Sequence, residues 1–290
     1  MDSISFSGGL GNQLFQWAAA HSRTATSKFK IDLHLYSNSS TRNFELKELV
    51  QCCSHVKYKK NNLKNYSMSR LLESLDSHGI AISVLGTLGL VNDKNYRKFL
   101  ISKDRLRSKF YLSGLFQDAY LVEQVYAEIK SEIDFVLMNS MKSLTNRILI
   151  PDHYLLLHVR RSDYPISHGP SNFIGQLSDR YFIELAEDSK LPIILLSEHE
   201  ADITDLRDAI KPHLVLSSSQ TNSWEVLALM SNAEVFIGSN STLSWWGAFL
   251  ATKKGAAAWL PSEWSQWSNI DSRNFFLNSI RYASSSWKIE

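Results

Sequence analysis

From residue 150 onward the chain alternates between short continuous apolar runs and stretches with a helical period. The runs are "YLLLHV" (154–159), "PIILLS" (192–197), "HLVLS" (213–217), "EVFIG" (234–238) and "AAAWLP" (256–261). Because successive residues are apolar, these runs predict strands buried on both faces, as in a parallel sheet. Helical patterns lie between them at about 179–189, 200–210, 223–231 and 244–251. Strand and helix in turn predict a doubly wound α/β domain. Upstream the pattern is less regular. "SISFS" (3–7) reads as a strand, "NQLFQWAAAHSRTA" (12–25) as a helix and "KIDLHLY" (30–36) as a strand, while "YLSGLF" (111–116) precedes a helix at about 118–138. That is a further α/β domain, with a boundary near 140–151 and domains of 1–145 and 146–290.

Two domains of ordinary size fit 290 residues. A content of 44% hydrophobic and 21% charged residues makes the chain globular. Its net charge of +2 is too small to suggest a dedicated nucleic-acid binder, which usually shows a strongly basic face. No apolar run reaches the ~18 residues of a membrane span. The opening "MDSISFSGG" has neither a basic nor an apolar leader region, so neither a signal peptide nor a transmembrane helix is expected. Cys52 and Cys53 are adjacent, which argues against a structural disulfide or a zinc site. A reducing, cytoplasmic compartment follows.

In open α/β sheets ligands bind beyond the carboxyl ends of the strands, and three motifs sit there. After the first strand, Gly8, Gly9 and Gly11 form a turn that admits a ligand to the backbone, and Asn12 and Gln13 open the next helix. This is neither a G-x-G-x-x-G fingerprint nor a P-loop, and a tight strand–helix turn has the same composition. After "LLLHV" come Arg160, Arg161 and Asp163, with His158 inside the run. Two arginines at the end of a buried strand are costly unless an anion meets them. They alternate in direction, so one can face a ligand while the other pairs with Asp163. The third motif is "GSNSTLSWWGAFL" (238–250), where hydroxyls crowd the start of a helix with Thr242 or Ser244 as its N-cap. Backbone amides, hydroxyls and the helix dipole converge on an anion at such a place.

Together, "GGLGNQLFQWA", "HVRRSDY" and "LMSNAEVFIGSNSTLSWWGAFL" resemble the α1,2-fucosyltransferases of glycosyltransferase family 11, with the bacterial branch nearest in length. The resemblance runs from about residue 4 to "WLPSEW" (259–264) and fades across 38–105. It implies a GT-B-like α/β fold of two Rossmann-type domains facing an interdomain cleft, the first on the acceptor side and the second holding GDP-β-L-fucose. It also implies a galactose-containing glycan acceptor, inversion at the anomeric carbon and no metal. The chain has no D-x-D motif, in keeping with that last point.

Carried onto this chain, the resemblance makes Arg160 the ligand of the β-phosphate, with His158 positioning nucleotide or sugar. Ser241, Thr242 and Ser244 become donors to the diphosphate. Gly9, Gly11, Asn12 and Gln13 offer the first domain's contacts. The family's acidic residue before the S-N-S-T block is replaced here by Val226, which leaves the neighbouring Glu225 as the candidate reader of guanine. Leu243 stands where the family often has Phe. For a general base, related α1,6-enzymes place an acid where this chain has His168, and Asp163 competes for the role. Two other functions fit the same residues: a GT-B transferase with another nucleotide sugar, and a non-catalytic carbohydrate-binding protein using the eight tryptophans. If the acceptor is lipid-linked, the basic stretch 94–109 is suited to peripheral contact with a membrane.

Overall fold

The computed structural model describes residues 2–23, 29–33, 43–53, 56–58, 90–93, 96–97, 110–161, 175–265 and 272–287. The chain divides into two compact units, 1–136 and 137–290.

The first unit is built on five parallel strands: β1 (Asp2–Ser5), β2 (Phe29–Asp32), β3 (Val56–Tyr58), β4 (Leu90–Val91) and β5 (Tyr111–Ser113). Their spatial order is β3-β2-β1-β5-β4. Helix α1 (Leu10–Arg23) follows β1 and buries Leu14, Phe15, Trp17 and Ala18. It starts two residues before the predicted helix, at the glycines themselves. A short α2 (Lys47–Gln51) precedes β3. Helix α3 (Ala119–Thr145) then runs on for seven residues beyond the predicted end, and the division between the units at Val136 and Leu137 falls inside it. Asp118 starts it. One carboxylate oxygen accepts from the amides of Tyr120 and Leu121, and the other takes Tyr96 and Arg97.

The second unit is the doubly wound domain that the periodicity predicts. In chain order it contains β6 (Leu155–Val159), α4 (Asp179–Ala186), β7 (Ile193–Ser197), α5 (Thr204–Ile210), β8 (Leu214–Leu216), α6 (Ser223–Asn232), β9 (Val235–Gly238), α7 (Thr242–Lys253), β10 (Ala257–Pro261) and β11 (Arg281–Ala283). All six strands are parallel, in the order β8-β7-β6-β9-β10-β11. This is the 3-2-1-4-5-6 winding of a Rossmann domain, and its direction reverses between β6 and β9. Every residue of β6 is buried, as its unbroken apolar run requires.

Helix α7 seats the reversal point on the core. Trp245 and Trp246 are fully buried, edge to face at 5.5 Å, and Trp245 stacks on Phe249 at 5.3 Å. The Trp245 indole donates to the Phe275 carbonyl at 2.7 Å. Removing either ring would cost about 3–5 kcal/mol. Gly247 lets α6 approach, since a Cβ there would lie 2.6 Å from the Met230 sulfur.

Candidate functional site

The ends of β6 and β9 are tied together at the switch point. Ser239, just past β9, donates its amide (3.1 Å) and its hydroxyl (2.8 Å) to the His158 carbonyl. The same hydroxyl accepts from the Arg160 amide at 3.0 Å. Gly238 must be glycine here, because a Cβ would come within 2.8–2.9 Å of Ser244, Leu260 and Phe236. Asn240 is buried and donates to the carbonyls of Gly175 and Trp264, which fixes the turn. Ser241 is the N-cap of α7, accepting from the Ser244 amide at 3.0 Å. The sequence suggested Thr242 or Ser244 for that task. Ser241 wins because its backbone is still extended where the helix begins.

The two arginines separate cleanly. Arg161 is buried and pairs with Asp179, while also donating to the carbonyls of Asp202 (2.8 Å) and Leu177 (3.4 Å). It is a brace for α4 and the 3-10 turn at Glu200–Ile203. Its carboxylate among the described residues is Asp179; the expected partner Asp163 lies outside them, as does His168. Arg160, one residue nearer the strand, is only half-buried. Its charge acts on His158. His158 is buried, with Nδ1 2.6 Å from the Ser244 hydroxyl. Burial first, and the Arg160 charge second, push its pKa down to about 3, so the ring is neutral at any physiological pH.

Four expected ligand contacts have other tasks, Ser241 among them as the N-cap that donates to Ser244. Ser244 is fully buried, and its hydroxyl lies between His158 and Ser241. It supports the site from behind and does not face a diphosphate. Only Thr242 of the three hydroxyl residues in that group keeps appreciable exposure. Glu225 is buried in a capping box: Asn222 accepts from its amide at 3.0 Å, and its carboxylate accepts from the Asn222 amide at 3.1 Å. The same carboxylate takes Arg147 at 2.6 Å and Ser143 at 3.1 Å. Three donors already occupy this buried carboxylate, and they tie α6 to the C-terminal end of α3 and to Arg147 just beyond it. The spacing Asn222-x-x-Glu225 carried that signal.

In the first unit Gln13 is likewise fully buried. Its amide nitrogen donates to the carbonyls of Gly8 (2.8 Å) and Asn43 (2.9 Å), and its oxygen accepts from the Glu45 amide at 2.8 Å. It latches a distant segment onto the glycine turn. That latch brings Glu45 to the start of α1, where its carboxylate accepts from the Leu10 amide at 3.0 Å. The helix end that the glycines seemed to keep for a phosphate thus already holds a carboxylate. Nothing local in the sequence could reveal this, because Glu45 is thirty-five residues away from Leu10. Gly8 sits at φ +74°, against Asn12. Gly9 and Asn12 remain partly exposed, Gly11 is buried, and the Asn12 side-chain oxygen accepts from Gln117 at 3.0 Å.

Two α/β units with all-parallel sheets, one wound 3-2-1-4-5-6, make up a fold of the GT-B type. The crystal structure of POFUT1 in its apo form shares this fold, with a TM-score of 0.50 at 12% identity, covering 90% of this chain and 98% of that one. Residues 93–266 match Glycosyl transferase family 11, and the chain belongs to that family. Two Escherichia coli proteins are similar over most of their length. The O-antigen biosynthesis glycosyltransferase WbnK is 27% identical over 89% of this chain and 93% of its own. An alpha-1,2-colitosyltransferase is 25% identical over 91% of this chain and 92% of its own.

Proposed function

We propose that this glycosyltransferase is an inverting α1,2-fucosyltransferase that moves L-fucose from GDP-β-L-fucose to a galactose residue of a glycan such as an O-antigen unit. One observation carries the donor side. Arg160 is held by its amide to Ser239 at the reversal point of a Rossmann sheet, beside a neutral His158 and the N-terminus of α7. Cleaving the fucose–phosphate bond leaves an oxocarbenium-like sugar and an additional negative charge on GDP. A guanidinium takes two phosphate oxygens at once, which a lysine cannot do. Each well-aimed donor of this kind contributes about 3–4 kcal/mol to the transition state. Thr242 and the α7 amides supply further donors, and holding the acceptor hydroxyl in line supplies much of the remaining rate. Its proton leaves late, to Asp163 or His168.

On this reading Arg160 does the neutralising that a metal does in other transferases, and no metal is required. Gly9, Gly11 and Asn12 lie at the carboxyl edge of the first sheet, which is offered to the acceptor. The name of the O-antigen biosynthesis glycosyltransferase WbnK supports an acceptor of the O-antigen type. Membership in a transferase family weighs against a carbohydrate-binding protein without catalysis.

The similarity to an alpha-1,2-colitosyltransferase favours one second reading, a colitose donor. Colitose is L-fucose without its 3-hydroxyl, so the two donors differ by a single polar contact. The test measures GDP release from GDP-fucose and from GDP-colitose, with and without galactosides, in excess EDTA. Galactoside-dependent release from GDP-fucose, undiminished by EDTA, is expected. Turnover of the colitose donor alone replaces the fucosyl reading, and dependence on an added divalent ion removes the metal-free mechanism.

A further inference from the structure

The hydrogen bonds behind His158 have a definite proton order. The Ser241 hydroxyl accepts from the Ser244 amide at 3.0 Å and donates its one proton to the Ser244 hydroxyl at 2.9 Å. Ser244 is fully buried on the first turn of α7, so its own proton needs an acceptor. Among the described residues that acceptor is His158 Nδ1, at 2.6 Å. Were Nδ1 instead the donor, the Ser244 proton would be stranded inside the protein, a buried donor without a partner. The chain therefore runs in one direction, from Ser241 to Ser244 to His158.

The geometry points to Ser241 and Ser244 as positioning residues that fix His158 as its Nε2–H tautomer, so that β6 ends in a neutral hydrogen-bond donor beside Arg160. Two consequences follow. His158 neither accepts nor releases a proton during transfer; it offers a fixed N–H to an anion. Ser244 acts one step removed from the ligand, through the ring, and Ser241 two. A hydroxyl that rotates freely must be ordered when a phosphate arrives. A ring locked by a helix cap is ordered already, which is how preorganised donors work. The lock also links the cap of α7 to the tip of β6, so the two sides of the switch point share one hydrogen-bond chain.

The assignment of this donor to the diphosphate of GDP rests on the function proposed above; the tautomer does not. The experiment is ¹⁵N NMR on histidine-labelled full-length protein at neutral pH, with His158 assigned by its loss in His158→Gln. The expected spectrum shows a pyridine-type Nδ1 and a pyrrole-type Nε2 without any ligand, unchanged down to pH 5. A pyrrole-type Nδ1, or an imidazolium, overturns the proposal whatever the donor sugar is. Ser244→Ala leaves the Ser241 cap in place and should produce a tautomer mixture with at least tenfold slower transfer. An unaltered ring in that variant refutes the serine chain. Adding GDP should move the Nε2–H resonance of the wild type. If GDP binds and that resonance stays put, His158 is not a donor to the nucleotide. If GDP does not bind at all, it is the nucleotide reading that fails, and the ligand-free spectrum still decides the tautomer.

Discussion

Adjacent arginines with opposite tasks make a sharp experiment. Arg161 is 4% exposed, and its fork holds Asp179 together with two backbone carbonyls. Arg161→Met keeps the stem and removes the charge. Breaking a buried pair from one side costs about 3–5 kcal/mol. The Asp179 side chain is 29% exposed and regains some water, which places the loss near the lower end of that range. For a unit of this size each kcal/mol lowers the melting temperature by about 2–4 °C, so a drop of roughly 6–12 °C is expected. Arg160 is half-buried; its backbone amide donates to the Ser239 hydroxyl whatever the side chain, and a lysine there keeps the positive charge. Arg160→Lys should therefore melt within about 2 °C of wild type while transferring sugar at least ~100-fold more slowly, the scale of one lost transition-state donor. Thermal unfolding and GDP release on the same preparations check both. A stable but inactive Arg161→Met, or an Arg160→Lys enzyme within tenfold of wild type, would refute the division of labour.

Gly247→Ala puts a methyl 2.6 Å from the Met230 sulfur and 2.7 Å from its Cβ, so α6 and α7 must separate. The strain outweighs the gain in helix propensity, and chemical denaturation should show a net loss of about 1–2 kcal/mol. His158 is neutral in the fold but takes a proton below about pH 6.5 when unfolded. Its contribution is thus flat above that pH, and stability falls as pH drops from 6.5 towards 3, by up to about 1.4 kcal/mol per unit. Unfolding curves at pH 7 and pH 5 should show a smaller acid sensitivity in His158→Gln than in wild type; equal slopes would mean the ring is not buried neutral. The basic stretch 94–109 is largely outside the described residues, and Arg97 within it is already paired with Asp118 at 2.8 Å. The remaining bases, at about 1 kcal/mol each near an anionic surface, should give co-sedimentation with anionic liposomes at low salt that is lost at high salt. Protein left in the supernatant at low salt removes the membrane contact.

The second unit was legible from its residues alone. Its strands are buried on both faces, so nothing but apolar residues is tolerated there, and the runs at 154–159, 192–197 and 234–238 mark them without help from contacts. The order of those strands then placed His158, Arg160 and the 239–244 turn at the reversal point. The family resemblance was legible there for the same reason, because the motifs are contiguous. What tertiary structure alone decided is which polar groups face outward. Arg160 and Arg161 are identical in the sequence, and only the packing of α4 under the strand end chooses Arg161 for Asp179. Gln13 looked like a ligand contact, while nothing in the sequence singled out Glu45. The fold joins them, spending the one on a latch and setting the other on the helix end. Glu225 and Ser244 were read as reaching for nucleotide, and burial turned both inward. A polar side chain declares that it needs a hydrogen bond; whether protein or ligand supplies it depends on what the rest of the chain brings within 3 Å.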